Sequence, residues 1–491
     1  MTPTPPAIRP DHPIVIVGSG IGGIALAKSL HDRGITDFVI LERADELGGT
    51  WRDNTYPGCA CDVPSQLYSF SFAPNPDWSR TYGKQTEILQ YLRDVARKFG
   101  VAKHIRYNSE LLEAHWDEDN QLWRITTNNG VMTSRILLIA AGVYGEAKYP
   151  DIPGRDTFEG SAFHSLHWDH RFDPTGKRIA VIGTGASAVQ FVPELQRSAA
   201  QLFVFQRSAP WIVPRFDRLV STKKRKLLRR IPLLQKVIRA TRYIAVESFG
   251  LVGFVDIRFR YPFELMGRFQ LRRQVQDKAL RATLTPDYMI GCKRAIFSDN
   301  YLPALTKPNV DVVTAGIAEI KSHSVVTRDG MERPVDAIIY GTGFAVPPAV
   351  YERLFGSQGR RFADLYRERP QSYLGTTLAG FPNLFITLGA FGALGNQSAI
   401  YMIERQAHYI AQAVHSLQNS NLRRIEVREE TQQKFIDEMN RRSAETVWLT
   451  GGCASSYYHT DAGLNAGLYP GWSFEYARRV KQFNSDNYSI T

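Results

Sequence analysis

Six short, nearly unbroken apolar runs punctuate the first 345 residues of the chain: "IVIV" (14–17), "FVIL" (38–41), "RILLIAA" (135–141), "IAVI" (179–182), "LFVF" (202–205) and "DAIIY" (336–340). Runs of this length without polar alternation predict strands covered on both faces, as in a parallel sheet flanked by helices. The first leads into Gly18-Ser19-Gly20-x-x-Gly23, then the helical "IALAKSLHDRG", then a second strand that ends at Glu42. Strand, glycine turn, helix, strand and acid, in that order, predict a dinucleotide-binding unit. The glycines bring backbone close to a pyrophosphate at a helix N-terminus, and Glu42, 24 positions beyond Gly18, accepts hydrogen bonds from ribose hydroxyls.

The pattern recurs. "KRIAVIGTGASA" supplies Gly183-Thr184-Gly185-Ala186-Ser187-Ala188, and the next strand ends at Arg207-Ser208. The interval from Gly183 to Arg207 is again 24, but a cation stands where the first unit has an acid. A carboxylate there repels a 2′-phosphate, whereas a guanidinium binds one through two parallel hydrogen bonds. The first unit is therefore expected to hold a dinucleotide with free ribose hydroxyls, and the second NADP. Two such sites imply hydride transfer from NADPH to a resident acceptor, for which FAD is the natural candidate.

The expected fold is α/β, with two Rossmann-like domains. The NADP domain is inserted in the FAD domain and itself carries a helical insertion. The expected boundaries are 1–147 and 341–491 for FAD, 148–214 and 291–340 for NADP, and 215–290 for the insertion.

A helical period marks that insertion: Leu227, Ile231, Leu234 and Ile238 step by four, three and four beside "KKRK" and "RR". Of the chain's net charge of +12, residues 215–245 carry +10, with eleven Lys/Arg against Asp217 alone. One reading is a weak membrane-surface contact through 218–242, or steering of an anionic cofactor. The plainer reading is a solvated surface helix. The remainder is close to neutral and lacks aromatic–basic alternation, so nucleic acid is not expected as a partner. Zinc-finger spacing is missing too, and no metal is expected.

Composition changes little: 43% hydrophobic and 22% charged residues over 491 positions suit a multidomain globular protein. Four cysteines and an N-terminal stretch without an apolar core point to the cytoplasm. Cys59 and Cys61 stand too close for an unstrained disulfide and read as packed thiols, while Cys292 and Cys453 stand alone in sequence. Electrons are thus expected to pass to oxygen rather than to a disulfide.

Two further stretches carry a family resemblance. "GGTWRDNTYPGCACD" (48–62) fits G-x-W-x4-Y-P-G-x3-D, and "FEGSAFHSLHWD" (158–169) fits F-x-G-x3-H-x3-W followed by Asp. Both resemble the fingerprints of type I Baeyer–Villiger monooxygenases. The likeness continues through "IGCKRAIFSDNYLPALTKPNV", "GFPNLFITLGAFGALGNQS" and "GGCASSYYHTDAGLNAGLYPG".

The resemblance implies insertion of one oxygen atom from O2 into a small-molecule ketone through a flavin peroxide, giving an ester or lactone, with sulfoxidation as a side activity. It implies that Arg294 stabilises negative charge and that Asp62 holds Arg294. It also places Lys293 on the 2′-phosphate, Thr50, Trp51, Asp62 and Tyr68 along FAD, and His164 in a linker that couples the domains. The alternative is a flavin-dependent N- or S-hydroxylase, in which Phe or Tyr and a basic residue replace Trp168-Asp169. Departures at Tyr301-Leu302, "GALGNQS" and "SSYY" (455–458) bear on the substrate rather than on the cofactors.

Overall fold

Ile14–Val17 lies at the centre of a sheet because both its neighbours and both its faces are apolar. A computed structural model describes residues 9–250, 260–419, 422–452, 456, 458–460 and 462–491. In it, strand β1 (His12–Val17) is followed by helix α1 (Ile21–His31) and strand β2 (Val39–Leu41), which runs parallel to β1. Strands β3 (Ile105–Arg106), β4 (Leu111–Asp117), β5 (Leu122–Thr127) and β6 (Gly130–Ile139) complete the order β4-β5-β6-β1-β2-β3. Two strands from far along the chain join this sheet: Leu354–Phe355 beside β4 and Leu384–Ile386 beside β6. Helix α1 is buried at seven of its eleven positions, wedged between the sheet and the long helix Ala399–Asn419.

A second, wholly parallel sheet is built from β7 (Ser161–His164), β8 (Arg178–Ile182), β9 (Gln201–Phe205), β10 (Val310–Val313) and β11 (Ala337–Tyr340). Its order is β10-β9-β8-β11-β7, with helix α2 (Ala186–Gln196) following β8. Between β9 and β10 the chain forms helices α3 (Thr222–Arg230), α4 (Pro232–Gly250), α5 (Tyr261–Gln274) and α6 (Lys278–Thr283).

The chain crosses between the sheets twice, and the crossings lie side by side. Lys148 N donates to Gly343 O at 3.0 Å, Ala345 N to Glu146 O at 3.0 Å, and Ala147 bridges Phe344. "FEGSAFHSLHWD" is therefore not itself the crossing. Its centre is the edge strand β7, in register with β11 so that His164 faces Tyr340. A four-residue strand is too short to announce itself by periodicity. Gly160 in this stretch is required sterically, because a Cβ there would meet Asp336 O and the Phe158 ring, both at 2.6 Å. Trp168 packs on Phe163 (5.2 Å) and Phe191 (5.3 Å) and anchors the stretch to the second sheet.

Tyr301 and Leu302 lie in the core of the second sheet at 0% and 2% exposure, with no described partner for the tyrosine hydroxyl. That departure thus repacks a core in this chain rather than lining an open pocket. Cys292 is disulfide-bonded, so its reading as a solitary thiol is corrected; Cys453, Ser455 and Tyr457 lie outside the described residues. No described helix is long and apolar enough to cross a membrane.

Candidate functional site

The two glycine turns are built alike. Gly18 has φ +100, and a Cβ there would sit 2.6 Å from Ala140 O; Gly183 has φ +106, with Gly341 O at 2.5 Å. Both positions combine a left-handed backbone with close approach of another strand end, which admits only glycine. A Cβ on Gly23 would come within 2.0 Å of Gly18 O, so the third glycine seats α1 on the turn. Helices α1 and α2 are entered through Gly20 and Gly185 at their N-cap positions, neither has a side-chain cap, and neither carries an acid in its first turn. Their first N–H groups are left for an anion, and the dipole favours one. Ala186, Ser187 and Ala188 form the first turn of α2. By this test both turns fit a pyrophosphate.

Glu42 is placed by β2 at the mouth of the first turn, buried at 4% exposure. Its Oε2 accepts from the Ser19 amide (3.0 Å) and hydroxyl (2.6 Å); its Oε1 accepts from Ala44 N (3.1 Å) and Arg52 Nη1 (2.8 Å). Burial alone would raise this carboxyl, but the Ser19 bonds and Arg52 outweigh it and hold it below the usual range. Four bonds fill the carboxylate's acceptor sites. A ribose hydroxyl at Glu42 must therefore take the place of the Ser19 hydroxyl or the Arg52 guanidinium. Arg52, which sequence reading passed over, stands in the same position to meet it.

Beside the second turn, Lys293 Nζ donates to Ser208 Oγ at 2.7 Å, and Thr184 Oγ1 to Ser208 O at 3.4 Å. Burial, and then the nearby Arg207 cation, lowers the Lys293 ammonium from its ordinary range. Two cations and a hydroxyl brought together at this cost match a dianionic phosphate.

Arg294 grips Asp62: Nε and Nη2 approach the same Oδ2 at 2.8 and 2.7 Å. Their side chains remain 31% and 26% exposed, so the pair faces open space rather than core. Asp62 ends a loop pinned on several sides. Cys61 N donates to Gly83 O (2.9 Å), and Gln85 N to Cys59 O (3.0 Å). Arg215 Nη2 donates to Cys61 O at 2.8 Å while its guanidinium lies over the Tyr82 ring at 5.1 Å. From α2, Gln190 clamps the other end of the loop, accepting from Tyr56 OH (3.1 Å) and donating to Ala60 O (2.9 Å). Neither Gln190 nor Arg215 belongs to a spacing that could have singled it out.

Thr50 heads a helical turn, Thr50–Asp53, entered through Gly49 at φ +52. Trp51 follows, its Nε1 donating to Tyr68 OH at 3.0 Å with the rings edge to face at 5.6 Å. Gly49 packs against Gly20, whose Cβ would be 3.6 Å from the Gly49 Cα, so two bare backbones approach closely beside the first turn. Cys59 and Cys61 are free thiols; burial pushes Cys59 up to about 12 and Cys61 further. Thiols held protonated in this way do not exchange with disulfides.

His164, at the end of β7, packs against the crossings, fully buried, among Tyr149 (5.5 Å) and Phe344 (6.2 Å). Its Nδ1 accepts from Leu166 N at 3.0 Å. Burial, and then His167, lower it to about 4, so it is neutral near pH 7.

The model of the pyridine nucleotide-disulphide oxidoreductase family matches residues 15–243. A Baeyer–Villiger monooxygenase of Streptomyces coelicolor is 43% identical over 487 residues, covering 97% of this chain and 92% of the relative. Another, from Pseudomonas aeruginosa, is 41% identical over 494 residues, with 100% and 93% covered. Among solved structures, that of OTEMO in complex with FAD and NADP superposes with a TM-score of 0.89 at 26% identity, covering 99% of this chain and 100% of the other.

Proposed function

This chain belongs to the Baeyer–Villiger monooxygenases, and from that premise we propose how its own residues divide the work. It is an oxidoreductase that uses FAD, NADPH and O2 to insert one oxygen atom into a small-molecule ketone, giving an ester or lactone. The hydroxylase alternative is not favoured. Bound FAD, reduced by NADPH, supplies the activated oxygen; the chain supplies position, charge and dryness.

The observation that carries the assignment is the Arg294–Asp62 pair. Oxygen insertion places negative charge on the former carbonyl oxygen, and a preorganised cation beside it lowers the barrier. Arg294 is that cation. Asp62 Oδ2 accepts from both Nε and Nη2 and so fixes the orientation of the guanidinium. The loop clamped by Gln190 and Arg215 keeps Asp62 in place.

Gly18, Ser19, Gly20, Gly23, Glu42, Thr50, Trp51 and Tyr68 hold FAD, with Arg52 beside the ribose. Gly183 to Ala188, Arg207, Ser208 and Lys293 hold NADP. The FAD domain comprises 1–147 and 341–491 and the NADP domain 148–214 and 291–340, which the membership of the two sheets supports. His164, packed against the crossings, is a positioning residue that couples the two domains. The cytoplasm, where NADPH is regenerated, is the setting this reading requires.

The test is turnover of a ketone under 18O2 by the purified holoenzyme. One labelled oxygen in the ester, matched to NADPH consumed, supports the assignment. Label in a sulfoxide or N-oxide only, with the ketone untouched, overturns it.

A further inference from the structure

We propose that the α3–α4 segment of the insertion is a docking surface for anionic lipid headgroups. The apolar stripe predicted along this segment is only partly covered: Leu227 and Ile231 are 45% and 44% exposed, while Leu234 and Ile238 are half-buried. Along α4, Leu233 (67%), Val237 (49%) and Ile244 (61%) fall within about 40° of one another around the helix, so they form a single exposed row.

Other positions of α4, along its flank and at its C-terminal end, are firmly held. Arg239 donates to Gln66 O (3.0 Å) and Ser69 O (2.7 Å), Tyr243 bonds Ser473 Oγ (2.7 Å), and buried Glu247 accepts from Ser473 N (2.7 Å) and from Gln397 (2.8 Å). Leu228 anchors α3 at 2% exposure. The exposed row is thus the outer face of a fixed helix, not a side that failed to pack.

Charge identifies the occupant. Arg80 neutralises Asp217, Asp77 takes Arg229, and Glu404 takes Arg239. Lys223, Lys224, Lys226, Arg230 and Lys236 are all exposed, and among the described residues none of them has an ion-pair partner. Aliphatic side chains in a row, with lysine and arginine around them, match an interface where acyl chains lie beneath anionic headgroups. A symmetric second copy would set this charge against itself. Nucleic acid would leave the aliphatic row unused. With no described helix able to span a bilayer, the contact is peripheral.

The test is sedimentation of the full-length holoprotein with vesicles of phosphatidylcholine alone, or with about 30% phosphatidylserine. Two variants accompany it: Lys223→Glu/Lys226→Glu/Arg230→Glu, and Leu233→Gln/Val237→Gln/Ile244→Gln. Neither touches the proposed catalytic or cofactor residues, and unchanged turnover of a soluble ketone shows that both are folded. The wild type is expected to pellet with anionic vesicles only and to be released by high salt. Each variant should bind about tenfold less. Four results would each overturn the proposal. One is wild-type protein left in the supernatant with anionic vesicles, and another is equal pelleting with neutral ones. A third is a dimer that the glutamine variant splits. The last is a raised KM for NADPH in the glutamate variant with vesicle binding intact, which would assign the charge to cofactor steering.

Discussion

Asp62 and Arg294 stand 232 positions apart and meet at Asp62 Oδ2, which accepts Nε at 2.8 Å and Nη2 at 2.7 Å. One residue closes the loop that follows the helical turn Thr50–Asp53; the other follows the helical insertion of the second sheet. A shift between the two sheets must therefore be felt at this pair. On the proposed mechanism both halves of the chain are needed: one carries the stabilising cation and the other orients it.

Cofactor selectivity should rest on Arg207 and Lys293. A charge-assisted hydrogen bond to phosphate contributes about 1.5–3 kcal/mol, so Arg207→Ala or Lys293→Ala should raise KM for NADPH about 10- to 100-fold. KM for NADH, which lacks the 2′-phosphate, should barely move. Steady-state kinetics with both nucleotides check this; equal losses for the two would place these cations elsewhere.

Glu42→Gln should weaken flavin retention. The substitution takes from the buried Arg52 guanidinium one of its two carboxylates, Asp53 remaining at 2.7 Å, and weakens the acceptor for the Ser19 hydroxyl. Breaking a buried pair costs about 3–5 kcal/mol. The purified variant is expected to show a lower flavin-to-protein absorbance ratio and a lower Tm. Glu42→Gln/Arg52→Gln should recover part of the Tm.

Acid sensitivity should trace in part to His164. Its folded pKa of about 4 lies below the unfolded value of about 6.5. Between these values the unfolded chain takes up a proton that the native state refuses. Stability from this group is present above about pH 6.5 and declines as pH falls towards 4. The fall in Tm from about pH 7 to about pH 5 should be smaller in His164→Gln than in the wild type. An equal fall would mean that other groups govern the acid limb.

What the sequence makes legible is what a backbone rule forces. Gly18, Gly183 and their successors follow from turns that only glycine can make, and the acid-to-cation change from Glu42 to Arg207 follows from phosphate charge. Arg294 and Asp62 come only from the family resemblance, since a lone arginine and a lone aspartate far apart carry no spacing signal. Gln190, Arg215 and Arg52 leave no trace in the sequence, because their roles depend on a second element folding against them. The stripe in the insertion shows a different limit. Periodicity reveals that one face of a helix is apolar, not what covers it.

The central claim is tested most directly by the yield of ester per NADPH oxidised, for wild type, Arg294→Ala and Asp62→Asn at saturating ketone. The account predicts near-unit yield for the wild type and a rate of ester formation lower by about 10²–10³ in Arg294→Ala while NADPH is still consumed. Asp62→Asn should fall between them, because its guanidinium is present but less firmly held. Undiminished ester formation by Arg294→Ala would contradict the account and move the stabilising charge to another residue.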